Sequence, residues 1–275
     1  MDYVEVVLSF EESVFGEILE AELAEIGFES FVNEQNTLKA YISVDNFVSS
    51  DLMAILTSYS DNVMDSKIQN IAHTNWNAVW EASYEPVLIE NSIYIKAPFH
   101  KDHPTAEISI TLDPNMSFGT GHHPTTHMML KELSLIDLSN KRLCDFGCGS
   151  GILSIYASIK GASGIGIEID EHAAEAARTN LKINDVSNFD IITGDIASLG
   201  EQSIDIIAAN INRNVIEESL KQFKNVIPPG GKLLCAGFLN ADEEGLTKRL
   251  NKAGFQIIRK DEKEGWTMLS TQYSA

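Results

Sequence analysis

LCDFGCGSGIL, Leu143–Leu153, joins a short apolar run to three glycines at alternate positions (Gly147, Gly149, Gly151) and then to an apolar segment with helical spacing. That pattern predicts a strand, a tight turn and a helix N-terminus. Glycines permit the positive backbone angles of such a turn, and without side chains they let a ligand lie on the main chain. A second apolar run, GIGI at Gly164–Ile167, delivers Glu168. A carboxylate at the end of a second strand can accept both hydroxyls of a ribose. Together the two features predict a site for a nucleoside-containing cofactor. The plainer reading is a strand-to-helix turn that holds no ligand.

A dinucleotide fold wants G-x-G-x-x-G, whose third glycine lets the helix pack closely while its N-terminus takes the pyrophosphate. Here that position is Ile152, and the glycine falls one residue early at Gly151. Asp145 also lies two residues before the first glycine. A carboxylate repels a pyrophosphate and attracts an ammonium or sulfonium. The expected cofactor is therefore S-adenosylmethionine, with Gly147, Gly149 and Glu168 among the residues that bind it.

Outward from this loop the chain alternates regularly. Apolar runs at Arg142–Phe146, Gly164–Glu168, Phe189–Thr193, Ile204–Ala209 and Lys232–Gly237 are separated by amphipathic segments such as Glu171–Ile183 and Val215–Val226. Gln256–Lys260 and Thr267–Ser270 add two strands. The expected class is α/β, with a Rossmann-like, seven-stranded, mostly parallel sheet covered by helices on both faces. Upstream, Ser92–Ala97 and Ala106–Leu112 also read as strands. Residues 1–70 read β-α-β-β-α-β, the order of a small ferredoxin-like α+β unit. That unit holds no histidine, cysteine or glycine-rich loop, so its expected role is substrate recognition. The expected domains are thus 1–70 for recognition, 71–90 as a linker helix, and 91–275 for catalysis. In the linker, Trp76, Trp80 and Tyr84 recur every four residues until Pro86. Such a stripe either packs a connecting helix or binds a ligand, and packing is the commoner case.

Composition narrows the function classes. The 275 residues are 44% hydrophobic and carry a net charge of −20, of which residues 1–70 hold −12. An acidic chain is repelled by bare nucleic acid and anionic membranes and suits a basic protein partner, although acidity also simply serves solubility. No apolar run approaches a membrane span. The N-terminus is acidic and alternating, a strand pattern rather than a secretory signal, so a cytoplasmic protein is expected; a monomer is a separate expectation. Cys144, Cys148 and Cys235 show no CxxC spacing and read as reduced, structural thiols.

Two further motifs bear on chemistry. Met116–Thr126, MSFGTGHHPTT, leads into an apolar helix for which Thr125 or Thr126 is a good N-cap. The functional reading folds this loop over the methionine end of the cofactor, with Phe118 covering it and Thr126 giving a hydroxyl. His122, His123 and His127 raise the question of a metal, but Pro124 interrupts the helical pairing and no further ligand is spaced to help; none is expected. Ile206–Asn214, IIAANINRN, ends an apolar strand at Asn210, where ends of parallel strands face a ligand crevice. Amino-methylating enzymes of this fold resemble one another in placing an Asn there, often in NPPY, to accept a hydrogen bond from the target nitrogen. The prolines and aromatic are missing here, and an enzyme acting on a flipped base needs an aromatic to stack it. The departure points to aliphatic amines, with Asn210 as the catalytic residue. Asp195, in TGDI, either contacts the adenine amino group or merely forms a turn.

FGTGHHPTT, DFGCGSGIL, GIEID, ANIN and PPGG, in this order and spacing, resemble the bacterial ribosomal protein methyltransferases of the PrmA family. The resemblance is specific over about residues 105–240 and looser before them. It implies S-adenosylmethionine contacts at Thr126, Gly147, Glu168 and Asn210. It also implies a large-subunit ribosomal protein as partner, the eleventh, methylated on lysine ε-amino groups and its α-amino group. His122 stands where the family usually has Thr, and Glu168 where it usually has Asp. The alternative is a methyltransferase acting on RNA or a small molecule.

Overall fold

The computed structural model describes residues 2–71, 84–114 and 121–274. Contacts divide the chain into two units, Met1–Ser83 and Tyr84–Ala275.

In the first unit, β1 (Tyr3–Phe10), α1 (Val14–Glu25), β2 (Ser30–Glu34), β3 (Thr37–Ser43), α2 (Ser49–Ser58) and β4 (Val63–Ile71) follow in the β-α-β-β-α-β order read from the sequence. The strands pair antiparallel in the order β2-β3-β1-β4. Period-two alternation in β1 sends Val4, Val6, Leu8 and Phe10 to one face. There they meet Leu19 and Leu23 of α1 and Leu52 and Ile55 of α2 in one core.

The second unit opens with a small sheet of β5 (Val87–Ile89), β6 (Ile93–Lys96) and β7 (Ile108–Thr111). β5 lies inside the 71–90 stretch assigned to a linker helix. Trp76, Trp80 and Phe118 fall outside the described residues. Tyr84 is described, and its ring stacks on His100 with centroids 5.9 Å apart.

The main sheet contains β8 (Arg142–Phe146), β9 (Ser163–Glu168), β10 (Phe189–Thr193), β11 (Ile206–Asn210), β12 (Lys232–Leu239), β13 (Phe255–Lys263) and β14 (Trp266–Tyr273), in the order β10-β9-β8-β11-β12-β14-β13. β8 to β12 run parallel, and β14 is reversed. Helices α3 (Pro124–Ser134), α4 (Ile152–Ile159), α5 (Glu171–Ile183), α6 (Arg213–Val226) and α7 (Glu243–Ala253) belong to the same unit. Burial on both faces explains the unbroken apolar runs. In β8, Leu143 joins the core containing Met128 of α3 and Tyr156 of α4, whereas Cys144 and Phe146 join the core containing Phe223 of α6 and Leu250 of α7.

Two local expectations change. α3 starts at Pro124, and its N-cap is His123, whose Nδ1 accepts the Thr125 N–H at 3.3 Å. Thr125 and Thr126 are therefore inside the first turn. Proline opens this helix because the first helical N–H has no intrahelical acceptor to lose. The terminal hairpin β13–β14 is also longer than the two short strands anticipated.

From β8 the chain steps outward to β9 and β10, then crosses back to place β11 on the other side of β8. In open α/β sheets the ligand crevice lies where strand order reverses, which here is at the carboxyl ends of β8 and β11.

Candidate active site

The glycine turn after β8 holds Gly147, Gly149 and Gly151 at φ values of 75°, 51° and 75°. All three lie in the left-handed region that favours glycine. The loop is tied to its neighbour strand by the Gly147 and Cys148 N–H groups, which donate to the Ile167 carbonyl at 2.8 and 3.1 Å.

Glu168 ends β9 beside that turn. Its Oε2 accepts the Gly149 N–H at 3.0 Å, while Oε1 accepts those of Ile169 and Asp170 at 2.9 and 3.2 Å. An aspartate is one methylene shorter; here the longer arm folds back on its own main chain. An ionised carboxylate offers about four acceptor sites, so room for a ribose hydroxyl remains chiefly at Oε2.

Asp145 is not an open wall of the crevice. It is 1% exposed, and its Oδ2 accepts the Ser154 N–H and hydroxyl at 3.1 and 2.9 Å, anchoring the start of α4. Burial pushes its carboxyl up to about 7, the Ser154 bonds oppose this, and the Glu168 charge adds to it. None of these influences is cationic. The buried thiols of Cys144, Cys148 and Cys235 are likewise raised by burial, which disfavours reactive thiolates.

Asn210 and Thr126, 84 residues apart in sequence, are brought together: the Asn210 amide nitrogen donates to the Thr126 hydroxyl at 3.5 Å. Thr126 is 1% exposed. This long bond turns the Asn210 carbonyl oxygen away from Thr126. Asp195 caps a short 3-10 helix, Ile196–Leu199, through Oδ1 and the Ala197 N–H at 2.9 Å. The turn-forming reading of Asp195 is thus present in the structure.

The histidines have local partners. His122 Nε2 lies 2.9 Å from the Glu85 carbonyl, and the His123 ring packs edge-on against Trp266. Burial, followed by Lys263, lowers the His127 pKa and favours its neutral form. Among the described residues no cluster of three or more His, Cys, Asp or Glu could hold a metal.

Three contributors left no sequence signal. Asn180 of α5, fully buried, donates to the Ser150 carbonyl at 3.0 Å and accepts the Asp113 N–H at 3.0 Å. It thereby ties the glycine turn to the segment after β7. Asn184, one turn on, grips Thr111 from both sides, accepting its N–H at 2.9 Å and donating to its carbonyl at 2.7 Å. Ile211, next to Asn210, touches both the glycine turn and β12.

A glycine turn after the central strand of a β10-β9-β8-β11-β12-β14-β13 sheet, with an acid closing the next strand, defines the α/β methyltransferase fold. A crystal structure of ribosomal protein L11 methylase from Lactobacillus delbrueckii subsp. bulgaricus superposes with a TM-score of 0.66 at 22% identity, covering 70% of this chain and all of that one. A profile of the family described as "Ribosomal protein L11 methyltransferase (PrmA)" matches residues 8–274. Proteins named ribosomal protein L11 methyltransferase from Porphyromonas gingivalis and Bacteroides thetaiotaomicron are 36% and 35% identical, covering 92% and 94% of this chain and 89% and 94% of their own lengths. The chain belongs to the ribosomal protein L11 methyltransferase (PrmA) family. It is a methyltransferase.

Proposed function

We propose that this enzyme transfers methyl groups from S-adenosylmethionine to lysine ε-amino and α-amino groups of ribosomal protein L11. The observation that carries this reading is Asn210 at the carboxyl end of β11, its amide nitrogen directed to Thr126. With the nitrogen so engaged, the side-chain oxygen is the atom left to accept a hydrogen bond from an incoming amine.

The residues fit this cofactor in three ways. The left-handed glycine turn would let a nucleoside approach the main chain at Gly147 and Gly149, Glu168 Oε2 would take a ribose hydroxyl, and buried Asp145 would favour a nearby cation. Asp195 would hold the adenine amino group with the oxygen that does not cap the 3-10 helix. Bound there, the cofactor supplies an activated methyl on a cationic sulfur. The protein's own part is alignment and exclusion of water. Asn210 aims the lone pair of the amine. A free lysine has a pKa of about 10.4, so the attacking amine must first lose its proton; desolvation beside a positive charge favours the neutral form.

The first unit supplies substrate recognition, its acidic surface suiting a basic ribosomal protein. Activity is cytoplasmic, where ribosomes are. Among the described residues no helix is long and apolar enough to cross a membrane. Incubation of the enzyme with purified L11 and methyl-labelled cofactor, followed by mass spectrometry, tests the proposal. Label is expected on lysine and the N-terminus; label on RNA but not on L11 would refute it. Asn210→Ala should lower turnover by about 10²-fold while cofactor affinity changes little, the pattern of lost alignment.

A further inference from the structure

We propose that Ile211 is a positioning residue whose Cγ2 methyl, seated against Gly147, sets the Asn210 turn at a fixed distance from the cofactor loop. This rests on the reading of Asn210 given above.

Three contacts hold Ile211. A Cβ built on Gly147 would fall well inside van der Waals contact with Ile211 Cγ2, so the branch methyl occupies the space that the glycine leaves open. On the other side, β12 carries a register irregularity between Cys235 and Phe238 where it pairs with β14. Gly237, inside that bulge, has φ 96°. A Cβ there would lie 2.5 Å from the Ile211 carbonyl oxygen and 2.8 Å from its carbonyl carbon and nitrogen, all of them backbone atoms. The Ile211 N–H also donates to the Ala236 carbonyl at 3.0 Å. Bulges re-aim side chains beside sites of this kind.

The main chain of Ile211 is thus clamped to β12 while its side chain abuts the loop after β8. A β-branched side chain is stiff at χ1, so the contact transmits position rather than absorbing it. Asn210 sits one residue from this spacer. An error of about 1 Å in alignment can lower a rate by about 10²-fold.

Branch position separates this role from simple packing. Ile211→Val and Ile211→Thr keep Cγ2, whereas Ile211→Leu keeps volume and apolarity but moves the branch outward, and Ile211→Ala removes it. With the full chain and purified L11, we expect Ile211→Leu and Ile211→Ala to lose about tenfold or more in kcat, with Kd for S-adenosylhomocysteine changed by less than about threefold. Ile211→Val should stay within about threefold of the parent kcat, and Ile211→Thr should exceed Ile211→Ala despite its hydroxyl. If Ile211→Leu does not fold, the Thr and Ala pair decides by the same criterion. Leucine turning over like isoleucine, or threonine no better than alanine, overturns the inference. Loss of turnover in Asn210→Ala alongside an indifferent Ile211 series refutes only the spacer; an unaffected Asn210→Ala refutes the reading of Asn210 itself.

Discussion

Raising the pH from about 6 to about 8 should tighten cofactor binding through Asp145. Burial moves this carboxyl from 3.8 to about 7. Such a shift corresponds to an electrostatic cost of about 4 kcal/mol for the ionised form in the folded chain. The folded state holds this proton more tightly than the unfolded state, so the contribution to stability falls as pH rises from about 4 to about 7. A cationic ligand placed near the buried group reverses the balance and favours ionisation. If binding requires the ionised form, Kd at about pH 6 should be about tenfold weaker than at about pH 8, and near pH 7 about half a proton should leave per ligand bound. Titration calorimetry with S-adenosylmethionine and no methyl acceptor, in two buffers of different ionisation enthalpy, measures both quantities. Asp145→Asn keeps an oxygen that can accept from Ser154 but cannot ionise, so the Asp145-linked part of the pH dependence should vanish. The ligand's own amino group titrates equally in both proteins and cancels in the comparison. Identical pH profiles for the parent and Asp145→Asn would refute the coupling.

Glu168→Ala removes an acceptor from three main-chain N–H groups as well as the proposed ribose contact; calorimetry should show cofactor affinity reduced by about 10- to 100-fold, with Glu168→Gln less affected. Asn180→Leu takes a hydrogen-bond partner from both Ser150 and Asp113 in a buried setting, and denaturant unfolding should show a loss of about 2–4 kcal/mol. Removing residues 1–70 should leave S-adenosylhomocysteine binding intact while abolishing methylation of L11, a result read by calorimetry and by mass spectrometry. Normal modification of L11 by the shortened chain would remove recognition from the first unit.

The strands of the main sheet were legible because a strand covered on both faces must be apolar throughout. β8, β10 and α5 start and end at the expected residues, and β9, β11 and β12 differ by a few. β5 was not legible, since three residues cannot display a period. The cap of α3 was missed for a chemical reason: local rules favour hydroxyls, and here a histidine ring nitrogen accepts the helix N–H. The placement of Glu168 and Asn210 at strand ends was legible, and they do close β9 and β11. Their hydrogen-bond partners were not, because one acid can meet its ribose or its own backbone with equal local plausibility.

Backbone angles demanded by closely spaced glycines, and apolar periodicity, act over a few residues. The order of letters therefore specified the glycine turn, the alternating elements and an acid at the close of the second strand. Contacts across long sequence separations obey no such local rule. Only folding could bring Asn180 against Ser150 and Asp113, turn the Asn210 amide to Thr126, bury Asp145 beneath α4 and wedge Ile211 between Gly147 and Gly237. The reason is geometric: side chains widely separated along the chain become neighbours only after sheet order fixes which strand ends lie side by side.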